Sequence, residues 1–106
     1  MSDGQLTSEL AKRVMHWRVG PDRFLKTGRE WIRRSEFEPL NKIDHAFQLL
    51  EQADPQEYSM GGGAHEPFRV RVRIKGAIGE ASHVSKSAAI THAVARAIGL
   101  KWEPPE

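Results

Sequence analysis

One stretch of the chain alternates strictly between apolar and basic side chains. The apolar positions are Phe68, Val70, Val72 and Ile74, and the basic positions between them are Arg69, Arg71, Arg73 and Lys75. Successive side chains of a β-strand point to opposite faces, so the pattern predicts a strand over residues 68–75 with one buried and one cationic face. We call the four basic residues the basic ladder. The first question about function is what this ladder contacts.

Apolar residues recur at helical spacing in three other segments. Helices are therefore predicted over residues 6–16, 41–53 and 86–98. Asn41 and Ser85 are suitable N-caps for the second and third helices, and Gly99 is suited to ending the third. The predicted buried stripes are Leu6, Leu10, Val14 and Trp17 in the first helix, Ile43, Ala46, Phe47 and Leu50 in the second, and Ala89, Ile90, Ala93, Val94, Ala97 and Ile98 in the third.

The segment between Trp17 and Pro39 shows no helical period. Because an unstructured loop of this length is unusual inside a compact domain, the segment is expected to contain structure of its own. Apolar pairs at 24–25 and 31–32 flank Lys26-Thr-Gly-Arg29, which predicts a small hairpin. Trp17 and Trp31 are predicted to be buried as apolar anchors of this segment. The alternative is an exposed aromatic patch that contacts a partner.

Two further strands are predicted on either side of the 68–75 strand, at 57–60 and 78–83. From residue 41 onward the order is helix, strand, strand, strand, helix, and the short connections make the sheet antiparallel. The predicted fold is a single α+β domain over residues 1–100, in which an antiparallel sheet of three or more strands packs with three helices. The last two helices are expected to cover the apolar face of the 68–75 strand, and residues 101–106 to form a loose tail.

Composition narrows the functional classes. The 106 residues include 16 Lys and Arg, 14 Asp and Glu, and no cysteine, so the net charge is only +2. A role in nucleic-acid binding would therefore depend on where the basic residues lie. Without cysteine there is no disulfide framework, and no apolar run reaches membrane-spanning length. The N-terminus lacks a signal-peptide pattern, so a cytoplasmic protein without a membrane partner is expected.

No residue pattern typical of catalysis is present. The five histidines lack the close spacing of metal ligands, and His45 and His92 are expected on polar helix faces. Gly61-Gly62-Gly63 precedes a strand and lacks the Lys-Ser/Thr ending of a phosphate-binding loop. No serine has a nucleophile-elbow context, and no carboxylate pair has a recognisable acid–base spacing. The sequence therefore predicts no catalytic residue, no cofactor, no metal site and no enzymatic activity.

Several motifs spread along the chain form a recognisable set. They are Leu10-Ala-Lys-Arg-Val-Met-His-Trp17, Trp31, Phe37-Glu-Pro39, Ile43-Asp-His-Ala-Phe-Gln-Leu-Leu-Glu51, and Gly79-Glu-Ala81 before an alanine-rich helix. Together they resemble the phage ABA-sandwich family, a group of small phage and prophage proteins whose function is not established. The resemblance implies helices packed about a central sheet, and it supplies no catalytic residues.

Residues 41–100 combine the helix-strand-strand-strand-helix order with three local motifs. These are Pro55-Gln-Glu-Tyr58, the glycine-containing loop with His65, and Ser85-Lys86 at the start of an alanine-rich helix. In these features the segment also resembles double-stranded-RNA-binding domains. The resemblance implies that His65 contacts a minor groove and that Lys86 contacts phosphate. The family's further lysines are absent, since Ser87, Ala89 and Ile90 stand in their places. This resemblance therefore implies similar architecture more than shared activity.

Two functions follow as expectations. The first is a non-enzymatic interaction module of phage or prophage type, acting in the cytoplasm of a bacterial host, with an unidentified protein as its partner. The second is a weak nucleic-acid-binding module that uses the 61–67 loop and the basic strand face. Paired with glutamates such as Glu57 or Glu80 across the strands, the ladder would instead be an ordinary solvated sheet face. The candidate contact residues are His65, Arg69, Arg71, Arg73, Lys75 and Lys86.

Overall fold

The computed structural model describes residues 2–21, 23–26, 30–62 and 64–100. The predicted tail at 101–106 lies outside these residues. In the described residues the chain forms three α-helices, one short 3-10 helix and two antiparallel three-stranded sheets, so the predicted α+β class is confirmed. The elements in order are α1 (Asp3–Arg13), β1 (Arg18–Val19), β2 (Arg23–Leu25), β3 (Trp31–Arg33), the 3-10 helix Arg34–Glu36, α2 (Ile43–Gln52), β4 (Glu57–Gly61), β5 (Phe68–Ile74), β6 (Ala77–His83) and α3 (Lys86–Ala97).

The α3 helix lies at the centre of the molecule. It packs on β5 and β6 with one side and against α2 with another, and ten of its twelve residues are buried. Two of its hydroxyl groups bind the segment before α2: Ser87 Oγ donates to the Leu40 carbonyl at 3.0 Å, and Thr91 Oγ1 lies 2.8 Å from the Pro39 carbonyl. A helix enclosed on several sides needs apolar or hydrogen-bonded residues all round, and its alanine-rich sequence meets that need.

The large sheet, with strand order β4-β5-β6, has one covered and one uncovered face. In β5, Val70, Val72 and Ile74 are buried and Phe68 is half-buried, while the arginines between them are exposed. The alternation continues in β6, where Gly79 and Ala81 are buried, whereas every residue of β4 is exposed except the half-buried Met60. We call the uncovered side the open face, formed by Glu57, Ser59, Gly61, Arg69, Arg71, Arg73, Ile78, Glu80 and Ser82. A sandwich with helices on both faces of its sheet, as the first resemblance implied, is therefore not the arrangement of the large sheet in the described residues.

The small sheet, with strand order β1-β2-β3, belongs to the segment that lacked a helical period. Its β2 and β3 strands pair antiparallel, which confirms the predicted hairpin, although residues 27–29 of its loop are outside the described part. Trp17, Phe24 and Phe37 form an aromatic cluster with ring centroids 5.0–6.0 Å apart. Aromatic burial of this kind stabilises a segment that has little regular backbone pairing.

The α2 helix differs from its predicted form in two ways. It begins at Ile43 with Lys42 at the N-cap, so Asn41 is not the cap. Its buried residues are Ala46, Leu49 and Leu50, whereas Ile43 and Phe47 are about two-fifths exposed. Because several apolar positions could form the buried stripe, the sequence does not determine how α2 is rotated about its axis. Packing against α3 buries the side that carries Leu49.

Local signals at the other chain reversals are largely confirmed. Ser85 caps α3 by accepting a hydrogen bond from the Ala88 backbone N–H, and Gly99 ends it with φ of 85°. The ladder strand is one residue shorter than predicted, because Lys75 and Gly76 form the two-residue β5–β6 turn. Both have positive φ, as the type I′ hairpin turn requires.

Candidate functional site

Three members of the basic ladder lie in a row on the open face. Each is matched by a glutamate: Arg69 lies 3.8 Å from Glu66, Arg71 lies 3.3 Å from Glu80, and Arg73 lies 3.5 Å from Glu57. Glu57 of β4 lies directly opposite Arg73, and Glu80 of β6 lies directly opposite Arg71. The register of the strands therefore produces these two pairs. Pairs this exposed contribute little to stability, about 0–1 kcal/mol each, but they cancel the positive charge of the face.

A shallow depression of about 730 Å³ lies across the three strands between Arg69 and Arg71. Its floor is formed by small residues opposite the two arginines on the flanking strands, namely Ser59, Gly61 and Ser82. At the edge of β6, the Arg96 guanidinium donates a hydrogen bond to the Glu80 carbonyl. The depression is therefore polar, and it exposes both charges and backbone to a partner.

Lys75 does not belong with the other ladder residues. It occupies the β5–β6 turn and lines a separate cavity of about 520 Å³ near the C-terminal ends of the three helices. His16 and Asp54, the other two non-glycine residues with positive φ in the described chain, line the same cavity. The predicted row of four basic residues is thus a row of three.

The two residues that the second resemblance singled out lie near the other end of the sheet. His65 is exposed in the turn between β4 and β5. Lys86 is exposed at the start of α3, where its Nζ lies 5.3 Å from the centroid of the Phe68 ring. Because Phe68 begins β5, Lys86 is adjacent to the Arg69 end of the ladder and remote from the Lys75 turn.

The histidines predicted on polar helix faces have other surroundings. His45 is half-buried, and its Nδ1 accepts a hydrogen bond from the Glu38 backbone N–H at 2.9 Å. His92 is buried, with its ring edge-on to His83 at a centroid distance of 5.7 Å. Burial, His83 and Arg96 together lower the pKa of His92 to about 4. Both side chains therefore pack within the fold. The prediction that His92 lies on a polar helix face is wrong, because His92 is buried.

Comparison with known proteins identifies similarity to a solved structure and no match in sequence. No protein-family model and no curated protein sequence matches the chain. The crystal structure of a phage protein from Bacillus cereus ATCC 14579 does. It aligns with a TM-score of 0.78 over 97% of this chain and 93% of that one, at 15% sequence identity. At that identity the likeness establishes a shared fold, and it extends over both sheets and all three helices.

None of the three helices in the described residues combines the length and apolarity needed to cross a lipid bilayer. The same residues contain no cluster of three or more histidine or acidic side chains that could bind a metal ion.

The structure places one aromatic residue where the sequence did not predict it. Trp17 is buried as expected, but 52% of Trp31 is exposed on the outer side of the small sheet. A signal was present in the sequence, because Trp31 and Arg33 alternate around Ile32 as an outward-facing pair would. With only three residues in the strand, this alternation was too short to be distinguished from a buried hairpin.

Proposed function

We propose that this protein acts without catalysis, by binding another macromolecule, and that the open face of the large sheet contacts a protein. The observation that carries the proposal is the match between each of Arg69, Arg71 and Arg73 and a glutamate on an uncovered three-stranded face. Such a face presents alternating charges with little net charge. A protein surface with its own mixture of charges complements it better than a uniformly negative polymer does.

The dimensions of the open face limit the kind of contact it can make. Three strands of up to seven residues span roughly 15 by 23 Å, or about 350 Å². A stable interface covers about 800 Å² on each partner. The partner must therefore also reach flanking parts of the chain, such as the turn that holds His65, or bind transiently.

Duplex binding through the ladder, His65 and Lys86 is the alternative. Phosphate contacts supply most of the affinity of such proteins, and the glutamates paired with the ladder arginines would oppose them. We expect duplex RNA or DNA to bind only above roughly 10 μM at physiological salt, without preference for sequence.

The likeness to a phage protein supports a phage or prophage origin for this chain as well, and hence a role in the cytoplasm of a bacterial host. The fold agrees over nearly the whole length of both chains.

The test is site-directed photo-crosslinking in cells that carry the gene. A photoreactive amino acid at Ser59, within the depression, should yield a defined crosslinked protein, and Arg71→Glu in the same chain should abolish it. The matched control position is Gln48, which is exposed on α2. Equal products from both positions, or a product insensitive to Arg71→Glu, would exclude the open face as the contact surface.

A separate measurement of duplex RNA binding tests the alternative. Tight, salt-sensitive binding of duplex RNA that requires His65 and Lys86 would replace the protein-binding proposal with the alternative. In that case Arg71→Glu and Arg73→Glu should flatten the dependence of affinity on salt concentration.

A further inference from the structure

The outer side of the small sheet combines an exposed tryptophan with arginines from all three strands. Trp31 of β3 is paired across the sheet with Leu25 of β2, which is in turn paired with Arg18 of β1. One row further along, Arg23 and Arg33 are directly opposite each other. Directly opposed residues share a face, and Phe24 is buried on the other side. We call this surface the small-sheet face: Arg18, Arg23, Leu25, Trp31 and Arg33.

Positive charge is concentrated in this part of the chain. Residues 18–36 contain six Lys and Arg but only three Asp and Glu, an excess larger than the net charge of +2 for the whole protein. The remaining residues are therefore slightly acidic. This local excess, which the overall composition conceals, is the electrostatic pattern expected of an anion-binding surface.

The arginines of the two sheets differ in how their charge is balanced. Each ladder arginine on the open face has a glutamate within 4.0 Å, whereas Arg18 and Arg33 form no ion pair with the residues that the structure describes. Arg33 also faces Arg23 directly across the strands. Two guanidinium groups side by side on one face can contact the same anion.

Nearby polar groups are engaged in ways that leave this face available. Arg34 is turned inward: its Nη1 donates to Ser8 Oγ at 2.8 Å and its guanidinium lies 5.0 Å from the Phe24 ring centroid. The Glu36 carboxylate accepts a hydrogen bond from the Arg33 backbone N–H at 3.2 Å. That carboxylate is therefore used by the backbone at the start of the 3-10 helix.

The tryptophan supplies a second kind of contact. Trp31 is 52% exposed, and the Arg23 guanidinium lies over its ring at 5.3 Å from the centroid. An aromatic ring beside guanidinium groups is the arrangement that binds unpaired bases, because a base stacks on the ring while phosphates contact the arginines. A duplex conceals its base faces, so only a single strand uses both kinds of contact.

We propose that the small-sheet face binds single-stranded nucleic acid. One base stacks on Trp31, and the adjoining phosphates contact Arg18, Arg23 and Arg33. The face spans three short strands, so it accommodates only a few nucleotides and has little means of reading sequence. This binding is separate from the proposed protein contact, since it uses a different sheet and a different class of partner.

The test is fluorescence anisotropy of a short labelled oligothymidylate, titrated with the whole protein at several salt concentrations. Trp31→Leu should weaken binding roughly tenfold, because it removes the stacking surface. Trp31→Phe keeps an aromatic ring and should retain most of the affinity, and thermal melts of both variants show whether each is folded. Arg18→Glu and Arg33→Glu should each reduce the salt slope by about 0.7.

The matched control is the double variant Arg71→Glu, Arg73→Glu. It makes the same change in net charge as Arg18→Glu, Arg33→Glu but lies on the open face, so binding should stay within about twofold of the wild-type value. The proposal is overturned if oligothymidylate does not bind at low salt, if a duplex binds equally well, or if folded Trp31→Leu binds like the wild type. Equal binding of a polyglutamate peptide would show a general anion surface and would also overturn it. None of these results affects the crosslinking test.

Discussion

Gly79 of β6 lies directly against the backbone of Ala93 in α3. A methyl group added at Gly79 would overlap the Ala93 carbonyl oxygen and the Ala97 backbone nitrogen, so the helix could not keep its present distance from the sheet. The glycine interrupts the side-chain pattern of β6 for this reason. The alanines of α3 and the glycine of β6 together allow the close helix–sheet contact on which the core is built.

Replacing this glycine should therefore be costly. Gly79→Ala is expected to lower the free energy of unfolding by about 1–3 kcal/mol or more, because backbone atoms must move to admit the methyl group. Gly61→Ala in β4 is the control, since no atom lies within 4 Å of the added carbon. Urea denaturation of both variants measures the difference, and equal midpoints would contradict the close contact.

The two sides of β5 should respond oppositely to a carboxylate. Val72 is fully buried, so Val72→Asp should cost several kcal/mol, a large part of the 5–15 kcal/mol typical of a domain. Arg71→Asp, on the exposed side, should change stability by about 1 kcal/mol or less. Thermal melts of the two variants measure the difference. Similar melting temperatures would mean that Val72 and Arg71 do not lie on opposite faces of the strand as described.

The hydroxyl of Thr91 should stabilise the contact between α3 and the segment before α2. Thr91→Val preserves shape but leaves the buried Pro39 carbonyl without this donor, which should cost about 1–3 kcal/mol. Thr7→Val in α1 is a suitable control, because the Thr7 side chain makes no hydrogen bond with the described residues. Chemical denaturation should show a small effect for Thr7→Val, and an equal effect at both sites would argue against the hydrogen bond.

Stability should fall as the solution becomes acidic, partly through His92. Its pKa is about 4 in the folded protein and 6.5 in the unfolded chain, so between these values the unfolded chain binds more protons. The contribution of neutral His92 to stability is therefore fully present above pH 6.5 and is lost as the pH falls toward 4. One proton contributes a slope of at most about 1.4 kcal/mol per pH unit.

The effect of His92 can be separated from that of the carboxylates by comparing the wild type with His92→Gln. Urea midpoints measured at intervals between pH 7 and pH 5 should fall more for the wild type than for the variant. Parallel pH profiles would show that protonation of His92 does not contribute.

Much of the fold could be predicted because the information is local. The alternation in β5, the cap at Ser85 and the reversal at Gly99 each depend on a few neighbouring residues, and all three are confirmed. The α+β class follows from such elements together with short connections. Lys75 shows the limit of local reading, since it continued the pattern of the strand but lies in the turn.

The features that bear on function depend on contacts between distant parts of the chain. The sequence contains the arginines and glutamates of the open face, but the register of three strands decides that Arg71 meets Glu80 and Arg73 meets Glu57. Likewise, the short alternation around Ile32 was too weak a signal to separate Trp31 from Trp17; packing against Phe24 and Phe37 buries Trp17, whereas Trp31 stays exposed. Side-chain periodicity determines which residues share a face, whereas the packing of the whole chain determines which faces are covered and how their charges are balanced.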